Sequence, residues 1–340
     1  MMKKMMVALL LVGSATLTMA QTLKFNNEGR FKIMQITDVH YNGSEASVAA
    51  LPVIDRLLTA EKPDLIVLTG DIIWGPPAKE NLLSVLNRIA KHHIPFVYEF
   101  GNHDFEQGLS NQKLYELARQ VDYNICPEIK DGQALDYVLT IQSSHDQQPA
   151  ARLYCFDSHA YPKGFPKDKS KGIYAWLTFE QVDWYRKQAQ MAKQTYRNKV
   201  LPALAFFHIP LPEYKQAATT ETATLIGTRR EAVCSPDFNS GMFTAMAEEG
   251  DVMAIFAGHD HDNDYAVMWK DLLLAYGRYT GGNTVYNHLK PGARVIILEE
   301  GKRRFTTYIR EWDGNCCDFS TYPDSYVMDD WTKRAPVRYE

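Results

Sequence analysis

An α/β fold built on a parallel-rich sheet is what this chain predicts, and three observations carry it. Short apolar runs alternate with amphipathic stretches from the first third of the chain onward. Those runs are dense in Val, Ile and Leu, the composition of strands buried on both faces. Asp, Asn and His then follow the runs directly, at the carboxyl ends where open α/β sheets place their ligands.

The elements are predicted in order. Phe31 to Thr37 reads as a strand and about Ala46 to Ala60 as a helix. Asp64 to Thr69 is a buried strand. Glu80 to His93 carries Leu82, Leu83, Leu86, Ile89 and Ala90 at helical spacing, and Pro95 to Phe100 is the next strand. This β-α-β-α-β order gives the parallel sheet. Ala134 to Gln142 and Arg152 to Asp157 read as strands, and Tyr161 to Lys171 as a surface loop rich in Pro, Gly and Lys. Thr178 opens a helix reaching about Arg197, with Gln181 completing a capping box. Leu201 to Phe207 and Val252 to Ala257 are again buried strands, and polar Glu213 to Cys234 reads as a long loop near the site. Leu272 to Tyr276, Arg294 to Glu299 and Phe305 to Arg310 close the fold, with Glu299-Glu300-Gly301-Lys302 as the turn between the last two. From Asp313 onward the chain reads as an aromatic tail laid over the domain.

The chain has 340 residues, is 45% hydrophobic and 23% charged, and has ample length for one large core. A net charge of −4 argues against general nucleic-acid binding, which uses a basic surface. Residues 1–20 read as a secretory leader: Lys3 and Lys4, an apolar stretch from Met5 to Val12, and Thr18-Met19-Ala20 before the cleavage point. The expectation is a mature chain from Gln21, a domain over 21–312 and a tail over 313–340, exported to the periplasm or medium. The apolar stretch falls short of the about 20 residues a spanning helix needs, and no other membrane span is expected. Five cysteines, Cys126, Cys155, Cys234, Cys316 and Cys317, leave at least one unpaired in a monomer and their pairing open.

Five blocks carry the chemistry: Asp38-Val39-His40, Gly70-Asp71, Gly101-Asn102-His103-Asp104, Phe207-His208 and Gly258-His259-Asp260-His261. Singly, each has a bland alternative. A lone His after a strand is more often core than ligand, and Asp71 could cap a helix. Together they supply enough Asp, Asn and His to hold two divalent metals, an arrangement suited to attacking phosphorus with water. Asp260 and Asp262 read as supporting groups. His159 reads as loop or pocket wall, and His92, His93, His145 and His288 as solvated or structural. Glu213 and Tyr214 could line the mouth or fix the turn after Pro212. Arg278 could grip a substrate phosphate through its guanidinium fork, or hold a loop through a salt bridge.

In order and kind, the blocks resemble the calcineurin-like metallophosphoesterase superfamily, over residues 38–261. Phe207 to Tyr214, Asn263-Asp264-Tyr265 and Tyr276-Gly277-Arg278 look like its purple-acid-phosphatase-like subgroup. The resemblance implies a four-layer αββα sandwich of two mixed sheets with metals at one edge. It implies that Asp38, His40 and His261 bind one metal, that Asn102, His208 and His259 bind the other, and that Asp71 bridges them. It further implies in-line attack by a metal-bridging hydroxide, with His103 as proton donor and Asp104 orienting its ring. Asn102 and Arg278 are expected at the substrate. Two positions depart from the true purple enzymes, which carry a ligating Tyr where this chain has Trp74 and a Gly where it has His40. An indole cannot serve as a phenolate ligand, so a colourless enzyme using Fe, Mn or Zn is expected. The leading expectation is an exported phosphomonoesterase acting on small phosphate esters. A phosphodiesterase for nucleotides or lipid head groups, and an inactive scaffold, are the alternatives.

Overall fold

The computed structural model describes residues 22–130, 133–196 and 200–326. The expected leader and the tail beyond residue 326 lie outside the described residues.

The first part of the chain runs β1 (Arg30–Ile36), α1 (Glu45–Val48), α2 (Ala50–Glu61), β2 (Leu65–Thr69), α3 (Ala78–Ala90), β3 (Phe96–Glu99) and α4 (Asn111–Arg119). The second runs β4 (Tyr137–Gln142), β5 (Pro149–Cys155), α5 (Phe179–Thr195), β6 (Ala203–Phe206), α6 (Glu213–Ala218), β7 (Leu225–Ile226), α7 (Met242–Glu249), β8 (Val252–Ala257), β9 (Ala266–Trp269) and β10 (Leu272–Tyr276). Strands β11 (Gly292–Glu299), β12 (Phe305–Glu311) and β13 (Cys316–Tyr322) complete it.

Two mixed sheets result. One has the order β13-β12-β11-β1-β2-β3, with β1, β2 and β3 parallel and the remaining pairs antiparallel. The other has the order β4-β5-β6-β8-β10-β9-β7, with β5, β6, β8 and β10 parallel. Side chains alternate along its strands, as the pleat requires. Leu204, Phe206 and Phe256 join the core shared with the first sheet. Ala205, Phe207, Ile255 and Ala257 pack with Tyr185 of α5, Tyr214 of α6 and Met246 of α7. Phe256 stacks on Phe206 and meets Phe305 of the opposite sheet edge-on, with centroids 6.0 Å apart. Ile54, Leu57, Leu82, Leu86 and Leu114 of α2, α3 and α4 also belong to the shared core. The predicted αββα sandwich is therefore present. Thr178 caps α5 with the reciprocal Gln181 bond that the sequence foretold.

Two expectations are corrected. Residues 316–322 are not a tail laid over the domain but the edge strand of the first sheet, with Ser320 and Tyr322 turned inward. Glu213 to Cys234 is not all loop: α6 and β7 lie within it. Tyr214 is fully buried there, its hydroxyl donating to Ile255 O at 2.9 Å, and Glu213 accepts from Asn239 Nδ2. All five cysteines are free thiols, so none of the open pairings forms. Among the described residues no helix is long and apolar enough to cross a membrane.

Candidate metal centre

The predicted ligands leave the carboxyl ends of parallel strands in both sheets. Asp38 and His40 follow β1, Asp71 follows β2 and Asn102 follows β3. His208 follows β6, and His259 and His261 follow β8. Asp38, His40, Asp71 and His259 all hold left-handed backbone, with φ of 54°, 49°, 51° and 79°. Such conformations cost about 1–3 kcal/mol each and persist where the surroundings force them. At Asp71 the carboxylate of Asp104 does the forcing. It accepts the backbone N–H groups of Gly101, Asp71, Ile72 and Ile73 at 2.8–3.1 Å. Gly70 and Gly101 let the β2 and β3 loops touch, since a Cβ on Gly70 would run into the Gly101 backbone.

Six of the seven predicted ligands converge in two groups. Asp38, His40 and His261 bring one donor atom each within 4.8 Å of one another, and so do Asp71, His208 and His259; all six residues are buried. His40 Nε2 stands 3.1 Å from His261 Nε2, and His259 Nδ1 stands 3.3 Å from His208 Nε2. Asp71 joins the two groups. Its Oδ1 accepts the His103 N–H, while Oδ2 lies 3.1 Å from His208 Nε2 and 3.7 Å from His40 Nε2.

These atoms fit two cations. A carbonyl can only accept, so His208 Nδ1, 2.7 Å from Thr69 O, carries a hydrogen, as does His261 Nδ1, 2.9 Å from Tyr286 O. In the neutral rings the Nε2 lone pairs therefore point into the site. Asn102 donates its amide to Tyr161 Oη at 3.3 Å, and its Oδ1 is buried with no hydrogen-bond partner. A buried acceptor left so is costly, and a cation beside it removes that cost. His208 and His259 differ sharply in their affinity for protons. Burial disfavours the charged form of His208, but the Asp71 charge outweighs it and raises the group to about 10. Burial and the repulsion from His208 together push His259 down to about 3.

The expected proton donor, His103, is held differently from expectation. His103 Nδ1 meets Glu106 Oε2 at 2.6 Å, and Glu106 Oε1 accepts the Tyr161 hydroxyl at 2.7 Å. Glu106 orients the ring; Asp104 does not, because its oxygens are taken by the four amides. Burial opposes the charged form of His103, but the Glu106 bond and the Asp71 charge prevail, so its pKa rises above the usual imidazole value. Arg278 is also corrected. It is buried and paired with Asp264 at 2.5 Å and Glu311 at 3.5 Å, and it donates to Lys290 O, which leaves no fork for a substrate. The salt-bridge alternative is the one that holds.

The supporting groups fall as expected. Asp260 accepts the Tyr276 hydroxyl at 2.5 Å, and Asp262 pairs with His288. His159 contacts Gln181 and lines a cavity of about 640 Å³ between α5 and side chains that include Pro127, Ile129 and Tyr137. Trp74 ligates nothing and is exposed.

The chain belongs to the calcineurin-like phosphoesterase family, whose pattern it matches over residues 31–263. It is 32% identical over 83% of its length to the Arabidopsis thaliana protein named "Probable inactive purple acid phosphatase 29", covering 80% of that protein. It is 30% identical over 74% of its length to the Saccharomyces cerevisiae protein named phosphatase DCR2, covering 47% of that one. Among solved structures, a dimetal phosphatase from Danio rerio superposes with a TM-score of 0.60 at 14% identity, covering 86% of this chain and 98% of that one. A purple acid phosphatase from yellow lupin seeds gives 0.50 at 12% identity, covering 87% of this chain and 55% of that one. Both likenesses concern the fold. The chain thus joins a phosphoesterase family and holds two groups of metal-binding side chains.

Proposed function

We propose that this chain is an exported phosphomonoesterase that works with two divalent metals on small phosphate esters. The observation that carries this is Asp71 Oδ2, set between the two histidine groups at 3.1 Å and 3.7 Å. A carboxylate oxygen there can serve two ions at once. Asp38, His40 and His261 would hold one ion, Asn102, His208 and His259 the other, and Asp71 both. When bound, such a pair supplies Lewis acidity and an activated water for attack on phosphorus.

The rest is the chain's own work. His103, its Nδ1 held by Glu106, keeps Nε2 to protonate the leaving oxygen. Asn102 would also meet the phosphate, its amide steadied by Tyr161. Imidazole, carboxylate and amide ligands suit Zn, Mn or Fe(II). Two phenols near the histidines are engaged elsewhere: Tyr279 donates to Gly282 O and Tyr286 to Glu231. This supports a colourless enzyme. Export rests on the leader-like residues 1–20.

The name of the Arabidopsis relative favours a second reading, a folded scaffold without turnover. Against it stand all seven ligand side chains and the His103–Glu106 pair. One experiment separates the readings: hydrolysis of a chromogenic monoester and its diester analogue after chelation and add-back of Zn, Mn or Fe. Metal-restored monoester turnover, abolished in Asp71→Asn, is the expected result. Preferred diester turnover would make the chain a phosphodiesterase. Silence with two metals bound would favour the scaffold.

A further inference from the structure

We infer that Trp74 selects the leaving group, so that the site prefers phosphate esters whose alcohol carries a planar aromatic ring next to the ester oxygen. This rests on the phosphoesterase reading above. Trp74 follows Ile72 and Ile73, both fully buried, yet it is itself 38% exposed. Its backbone is pinned, with the N–H donating to Tyr41 O at 2.9 Å. The loop thus presents an indole to solvent at a fixed place, beside the candidate metal groups. Its ring centroid lies 6.5 Å from that of His103 and 6.4 Å from that of His40, with interplanar angles of 80° and 65°.

The position follows the path of the proton. His103 Nδ1 is committed to Glu106, so Nε2 must reach the leaving oxygen. The carbon skeleton on that oxygen then lies alongside His103, where Trp74 is the exposed apolar surface. Aromatic rings also stand beside Asn102 and His259. Tyr161 stacks on Phe165 with centroids 4.8 Å apart, and Tyr174 meets His259 edge-on at 4.4 Å. Aromatic pairs gain stabilisation beyond the area they bury, and a saturated ring of the same size gains only the area.

The test compares benzyl phosphate with cyclohexylmethyl phosphate, whose alcohols have similar size and acidity, and compares the two matching phosphonates as non-hydrolysable ligands. Binding is read by calorimetry on the metal-loaded protein and turnover as kcat/KM. Wild type should favour the aromatic member by about two- to tenfold in both assays. Trp74→Leu, apolar but ringless, should bring the ratio towards one, and Trp74→Phe should keep most of it. A wild-type ratio near one, a ratio unchanged in Trp74→Leu, or failure of both phosphonates to bind would overturn the assignment. Ring-selective phosphonate binding without turnover of either ester would leave Trp74 standing and remove the phosphoesterase reading. Turnover of both esters at equal efficiency would do the reverse.

Discussion

At the scale of single residues, ligands and support were not equally readable. Asp38, His40, Asp71, Asn102, His208, His259 and His261 stand in short blocks just after buried strands, so local sequence carries them. Glu106 was missed because adjacency suggested Asp104. The chain turns into a 3-10 helix over Asp104–Gln107, with His103 as its cap. In that geometry residues three apart eclipse, which brings Glu106 under His103 and sends Asp104 inward. Glu106→Gln should therefore lower kcat by about ten- to a hundredfold, short of the about 10²–10⁴ that general-acid catalysis supplies. The loss should be larger for alkyl esters than for p-nitrophenyl phosphate, whose leaving group needs little protonation; steady-state rates on both substrates check this. His208 gives a pH prediction. Its metal-free pKa is raised to about 10, so below that pH a metal must displace a proton. Metal affinity should fall as pH falls from 9 to 6, by up to about tenfold per unit, measured by competition with a chelator. An affinity independent of pH would remove His208 from the ligand set.

At the scale of elements, strands buried on both faces were legible because their apolar runs are continuous. Edge and short elements were not. β13 has the sequence Cys-Cys-Asp-Phe-Ser-Thr-Tyr, and only part of it faces the core. α6 has six residues, and its signal is only Tyr214 and Ala217 three apart after Pro212. Docking of elements was equally invisible. Glu61 ends α2 and accepts Tyr308 Oη at 2.7 Å and Arg310 Nε at 2.6 Å from β12, and Lys32 Nζ at 3.1 Å from β1. Glu61→Ala leaves those donors unmatched and should cost about 2–3 kcal/mol, read by urea denaturation. Burial raises the Glu61 pKa, but these three bonds outweigh it and hold the pKa below the model-compound value of 4.5. A depressed carboxyl stabilises the fold above that value, and the contribution is lost as pH falls through the lowered folded pKa. The gap between wild type and Glu61→Ala should therefore close on acidification below about pH 4.5.

At the scale of the whole molecule, the αββα sandwich brings the ends of two sheets to one edge. Asp38, His40, Asp71 and Asn102 come from the first sheet and His208, His259 and His261 from the second. No local pattern states that meeting; it was expected only from the resemblance of the five blocks. Gln35 of β1 donates to Ala257 O of β8 at 3.0 Å just beneath the centre, and so fixes the distance between the sheets. Ions bound above that contact would tie the sheets together. The central claim is a pair of ions shared through Asp71. It is tested most directly by titrating the chelated protein with Mn or Zn while following phosphomonoester hydrolysis. The account predicts no turnover without metal, a rise that saturates at two equivalents per chain, and no such rise in Asp71→Asn. Saturation at one equivalent, or turnover that persists in the chelated protein, would contradict it.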